Sequence, residues 1–288
     1  MVQATLHDAS RIDVEVHGTG PTVLLPVNPV PVTGQRADEM RNWGVDPALG
    51  RSLIDGLSDA FRVVAFDYEG HVIATPKPDT LTPDNIAADF LAVADAAGAE
   101  RFAYYGYSWL ALSGLQLAIR TDRLTALVMG GFPALAGPYA EMLAVTAATH
   151  ASSGAPRSSE PPARKSGDEY DWSTAEVTMS EEQTRQFMTL YVALQGFDDR
   201  AVQSRVTCPR LCFVGSKDTI VYDERWGGVT VDIAGAVADH HGELEAAGWQ
   251  VHILDGLDHT QAMQPGAVLP VLRPWLITAA GRAQSGNG

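Results

Sequence analysis

The stretch Arg101–Arg120, RFAYYGYSWLALSGLQLAIR, decides the fold. An apolar run, FAYY, stops just before Gly106, and a helical pattern, ALSGLQLAIR, begins just after Ser108 and Trp109. A strand turning sharply into a helix presents the residue between them at the carboxyl edge of a parallel sheet, where ligands bind in such folds. Small residues at Gly106, Ala111 and Gly114 let strand and helix approach closely. The helix start also aims backbone N–H groups and its positive end at developing negative charge. Gly-x-Ser recurs at Gly50-Arg51-Ser52 and Gly56-Leu57-Ser58, but both lie within a helical pattern. No turn presents those two serines.

Outward from this stretch, strands and helices alternate. Ile12, Val14 and Val16 alternate with polar residues, as in a half-buried strand. Residues 22–25 and 61–66 are apolar runs, the second nearly continuous, as in strands covered on both faces. Residues 126–129, 210–214 and 250–254 repeat the strand pattern. Helices are predicted over 47–60, 83–98, 231–247 and 266–278, the last interrupted by Pro270 and Pro274. Residues 26–46 and 67–80 read as loops. The alternation predicts an α/β fold with a mostly parallel twisted sheet and helices on both faces.

One region breaks the pattern. Between Gly131 and Val206 only helices are predicted, near 138–149 and 180–195. The Ser-, Pro- and Gly-rich piece between them, at 151–169, reads as a mobile surface loop. The expected organisation is a core domain of residues 1–133 and 207–288, with a helical cap inserted at 134–206.

Composition narrows the function. The net charge of −15 over 288 residues repels a phosphate backbone and an anionic membrane surface, so neither nucleic acid nor membrane is an expected partner. The opening residues lack a signal-peptide pattern, and no apolar run reaches the length of a membrane helix. A cytoplasmic protein is expected. The two cysteines, Cys208 and Cys212, fit neither a redox pair nor a zinc site, and read as two buried thiols on one strand face.

The stretch GYSWLALSGLQLA resembles the nucleophile elbow of the α/β-hydrolase superfamily, Gly-x-Ser-x-Gly followed by a small-residue helix. Leu110 stands where the second glycine is usual, so its side chain must be accommodated by the neighbouring strand. DYEGHV likewise departs from Asp-x-Arg-Gly-x-Gly, with Glu69 in place of Arg. The resemblance spans nearly the whole chain and implies acyl chemistry by a serine nucleophile, with no metal or cofactor.

An alcohol needs a base, and the base needs an orienting acid. Of the eight histidines, His259 in LDGLDHTQ directly follows the last strand run, at the same sheet edge as Ser108. His71 is close enough in pattern to line a pocket but precedes the elbow. Asp218 in VGSKDTIV lies just past another strand, whereas ALVMGGF ends without a carboxylate. Asp255 and Asp258 remain alternatives of lesser fit. The order Ser108, Asp218, His259 is that of the superfamily's triad. The resemblance also implies two oxyanion donors: the N–H of Trp109, and one from the loop after residues 22–25. There Pro26 and Pro29 lack an N–H, leaving Val27 or Asn28, with Asn28 preferred for its side-chain amide. Tyr107, Trp109, Trp172, Phe187, Met188 and Tyr191 are expected to wall an apolar pocket, unless Phe187, Met188 and Tyr191 only pack the cap helix.

The expected activity is hydrolysis of an ester, thioester or lactone of a small, hydrophobic acyl substrate. Acyl transfer, cyclisation, carbon–carbon cleavage, and binding of a small ligand without turnover are alternatives on the same scaffold.

Overall fold

Strands with apolar side chains on both faces require a cover on each side, and the architecture follows from that requirement. A computed structural model describes residues 2–153 and 179–285. Its main sheet comprises β1 (Val2–Thr5), β2 (Arg11–His17), β3 (Thr22–Leu25), β4 (Arg62–Ala65), β5 (Phe102–Tyr107), β6 (Leu124–Gly130), β7 (Arg210–Gly215) and, after a small hairpin of β8 (Thr219–Val221) and β9 (Thr230–Asp232), β10 (Trp249–Leu254). The order across the sheet is β1-β2-β4-β3-β5-β6-β7-β10. The first two strands pair antiparallel, and β2 pairs antiparallel with β4. From β4 to β10 every neighbour is parallel.

Residue parity divides the core. Leu24, Val64, Tyr104 and Leu127 face α4 (Pro83–Ala96) and α5 (Trp109–Ala118). Val23, Val63, Tyr105 and Val128 face α2 (Leu49–Leu57) and α11 (Pro265–Ser285). Helix α2 buries Leu53, Ile54 and Leu57 almost completely. Each such side chain contributes roughly 1.5–3 kcal/mol relative to exposure.

Several elements differ from the sequence reading. Helix α1 (Gln35–Asn42) lies within the expected loop, and α3 (Tyr68–Ala74) occupies DYEGHVIA. Helix α3 starts because the Asp67 carboxylate accepts the Gly70 N–H at 2.8 Å, a local cap rather than an apolar stripe. The helix expected over 231–247 is two, α8 (Ile233–Asp239) and α9 (His241–Ala246), preceded by β9. Helix α11 continues through Pro270 and Pro274, which both lie on its exposed face. The bonds that the prolines cannot make fall on the solvent side, while Val268, Leu272 and Leu276 hold the opposite face in the core. Cys208 precedes β7 and is half-buried, so only Cys212 is the expected interior thiol.

Between β6 and β7 the described residues form α6 (Tyr139–Ser152), α7 (Glu181–Ala193) and a short 3₁₀ turn, without a strand. The polar stretch expected as a loop lies outside the described residues from 154 onward. Helix α7 docks on the α3–α4 segment through side chains that reach main-chain atoms. Gln183 Nε2 donates to the Ile73 carbonyl (2.7 Å), Gln186 Nε2 to that of Val72 (3.0 Å), and Thr189 Oγ1 to that of Pro78 (2.6 Å). The Lys77 N–H returns a bond to Gln186 Oε1 at 3.0 Å.

Beneath this segment lies a buried polar network. The fully buried Lys77 ammonium pairs with Asp8 and reaches Ser10 Oγ at 3.1 Å, and Ser10 also meets His71 Nε2 at 2.9 Å. Alongside it the buried Asp89 accepts from the Tyr68 hydroxyl (2.7 Å) and the His7 N–H (2.7 Å). His7 and His71 thus tie the first hairpin to α3 and α4. Among the described residues no helix is long and apolar enough to cross a membrane.

Candidate active site

Ser108 sits between the last residue of β5 and the first of α5, at φ 56° and ψ −130°. A side-chain-bearing residue rarely adopts this backbone, and such strain concentrates at functional sites. Its N–H is fixed to the Gly130 carbonyl at 2.8 Å, and its carbonyl accepts from Ala111 at 2.8 Å. The close approach of strand and helix falls on Gly106, where a Cβ would lie 2.4 Å from the Leu110 carbonyl oxygen. Leu110 itself points into the core, and its carbonyl accepts the Tyr104 hydroxyl at 2.7 Å. The leucine at the usual second glycine is thereby accommodated.

Asp218 lies in the turn between β7 and β8, fully buried. His259 opens the short helix α10 (His259–Ala262) after β10, behind a capping box formed by Asp258 and Gln261. The His259 Nδ1 is 3.0 and 2.9 Å from the two Asp218 carboxylate oxygens. A carboxylate only accepts, so Nδ1 carries the proton and Nε2 is left to accept one. Two of the three expected side chains are therefore in direct contact. The third is linked through its neighbour: the Tyr107 ring centroid is 5.1 Å from that of His259. The Ser108 hydroxyl makes no hydrogen bond to His259 or to any other described residue. Such bonds are often long in unliganded sites and tighten with substrate.

Of the expected oxyanion donors, the Trp109 and Asn28 N–H groups donate to no other described residue. The Val27 N–H is spent on the Leu25 carbonyl at 2.9 Å, which removes Val27 from the pair. Asn28 Oδ1 accepts the Val30 N–H at 2.9 Å, which shapes the loop and leaves both the main-chain N–H and the side-chain Nδ2 as donors.

With this geometry in view, comparison with known proteins is informative at the level of fold. No protein-family description and no curated protein sequence matches the chain. Solved structures do. An esterase from Thermogutta terrifontis superposes with a TM-score of 0.58 at 18% identity, covering 97% of this chain and 98% of that one. The enol-lactonase from Burkholderia xenovorans LB400 gives 0.58 at 17% identity, covering 96% and 99%. A carboxylesterase of the thaumarchaeon Nitrososphaera gargenis gives 0.59 at 15% identity, covering 98% and 100%. The chain has the α/β-hydrolase fold.

In this α/β-hydrolase scaffold the expected pocket residues separate. Phe187 meets the Trp109 indole edge-to-face at 5.5 Å, joining α7 to the start of α5. Met188 beside it is half-buried. Tyr191 is only 2% exposed and belongs to the core that packs α7. Trp172 lies outside the described residues. Tyr107 faces His259 and the end of β6 instead of α7.

Glu69 was not expected at the site. Its side chain is exposed to solvent at the start of α3, although protein surrounds the carboxyl. Burial first, and then the charge of Asp67, pushes its carboxyl above the usual range, while the Trp109 indole pulls it down. That indole N–H is buried and lies near the Glu69 carboxyl, but it meets hydrogen-bond geometry with no described residue. The signal in the sequence was the departure at DYEGHV. Two recesses elsewhere, of about 60 Å³ beside Arg210 and Trp275 and about 280 Å³ beside Thr219 and Asp232, contain none of Ser108, Asp218 and His259.

Proposed function

We propose that the protein is a serine hydrolase acting on an ester, thioester or lactone of a small acyl substrate. The observation that carries this reading is the buried Asp218 on the Nδ1 of His259, at the sheet edge where Ser108 holds a strained turn. The esterase and enol-lactonase among the structural neighbours lend support at the level of scaffold.

In the mechanism, the Ser108 hydroxyl attacks the carbonyl carbon and His259 Nε2 takes its proton. Asp218 keeps the imidazole in the required tautomer and stabilises the imidazolium without itself being protonated. The tetrahedral oxyanion accepts from the Trp109 and Asn28 N–H groups, each such donor being worth about 3 kcal/mol. Collapse expels the alcohol, thiol or ring oxygen, which receives the proton from His259. Water, deprotonated by the same base, then releases the acid and restores Ser108.

In this reading residues 134–206 act as a cap over the site, and Trp109, Phe187 and Met188 form an apolar wall for the acyl group. The substrate is a small molecule, and the acidic chain is cytoplasmic and binds neither nucleic acid nor membrane. A fluorophosphonate probe is expected to label Ser108, and Ser108→Ala to abolish labelling in a protein of unchanged circular dichroism. A folded wild type that resists the probe would favour ligand binding without turnover, the reading supported by the unmade Ser108–His259 hydrogen bond.

A further inference from the structure

Tyr107, expected from sequence to wall the substrate pocket, is engaged elsewhere. Its hydroxyl donates to the main-chain carbonyl of His259 at 2.8 Å. Its ring tilts 54° to the imidazole, with centroids 5.1 Å apart. The other side of the ring fills a slot that only glycines leave open. A Cβ at Gly131, where φ is +63°, would come within 2.5 Å of Tyr107 Cζ, and one at Gly130 within 2.7 Å of Cδ2. Phe213 closes the slot at 6.1 Å between centroids. Burial first, and then the Asp218 charge, raises the phenol far above its ordinary range, so the hydroxyl stays a donor at any working pH.

We propose that Tyr107 is a positioning residue that registers the base against the nucleophile. The inference rests on Ser108 and His259 holding those roles. His259 is fixed by its ring through Asp218, by its helix start through the Asp258–Gln261 box, and by its carbonyl through Tyr107. Of these anchors, only Tyr107 is bonded covalently to Ser108. No direct hydrogen bond joins hydroxyl and imidazole, so this tie sets their separation before substrate arrives. A small misplacement of reacting groups costs up to about 10²-fold in rate.

The test is Tyr107→Phe, which keeps the ring in its slot and removes only the donor. The expected result is a fall of about tenfold in kcat for a neutral acetate ester and in the fluorophosphonate labelling rate, the scale of one lost hydrogen bond. KM should stay within about twofold, as should probe binding before reaction. The His259 Nδ1 proton, followed by NMR, should exchange faster with solvent in the variant. Unchanged kcat and unchanged proton exchange would overturn the proposal, as would a rise in KM alone, which marks a substrate contact. If wild type is not labelled at all, the hydrolase reading fails. The proton-exchange comparison then still decides whether Tyr107 holds His259.

Discussion

At Gly106 the backbone of β5 meets that of α5, and one methyl group would separate them. Gly106→Ala should destabilise the protein by about 1–3 kcal/mol or more, because the added Cβ meets a carbonyl held in place by the helix. Urea denaturation should show a lower midpoint at unchanged slope. Glu69 makes a second residue-scale prediction. A carboxyl raised on folding is stabilising when protonated, so its contribution is lost as pH rises above the ordinary 4.5. Glu69→Gln should therefore raise the melting temperature at pH 7, on the order of 1 °C because water screens the accessible carboxylate, and the gain should vanish below that value. Ser108, Asp218 and His259 stood out as candidates in the sequence because each follows an apolar strand run, and sheet edges are legible from such runs. In sequence Tyr107 reads as part of a pocket wall and Asn28 is preferred to Val27, but the bonds that Tyr107 and Val27 make depend on where single hydroxyl and N–H groups point.

Among elements, the joint between the first hairpin and the α3–α4 segment carries a buried ion pair. The Lys77 side chain is fully buried, while Asp8 keeps 26% of its side-chain surface. Burial alone would raise Asp8, but the hydrogen bonds from Lys77 and Ser10 outweigh it and hold the carboxyl well below its usual range. Its stabilising contribution is thus complete above the ordinary value of 3.8 and is lost as pH falls through the folded value. Asp8→Asn strands a buried ammonium and should cost about 3–5 kcal/mol near neutrality, a gap that narrows in acid. The double variant Asp8→Asn/Lys77→Met should recover much of that loss in chemical denaturation. Central strands, α2, α4 and α5 were legible from apolar runs and periodicity. Helices α1 and α3 were not, since α1 buries only Ala37, and α3 begins with a side-chain cap. In α11, proline chemistry argued for a break, and core packing on the opposite face prevailed.

On the scale of the molecule, a net charge of −15 on one sheet domain and its helices means self-repulsion. Raising sodium chloride from low to moderate concentration should lift the melting temperature by about 2–4 °C, as screening relieves that repulsion. A flat salt response in differential scanning fluorimetry would show instead that local pairs such as Asp59 with Arg273 already neutralise the field. The way α7 is seated has a further consequence. Gln183, Gln186 and Thr189 grip carbonyl oxygens at positions 72, 73 and 78, atoms that every amino acid supplies. Mutational drift at those three positions can therefore alter the side chains without erasing the acceptors. A lineage can keep this seating while its sequence wanders beyond recognition.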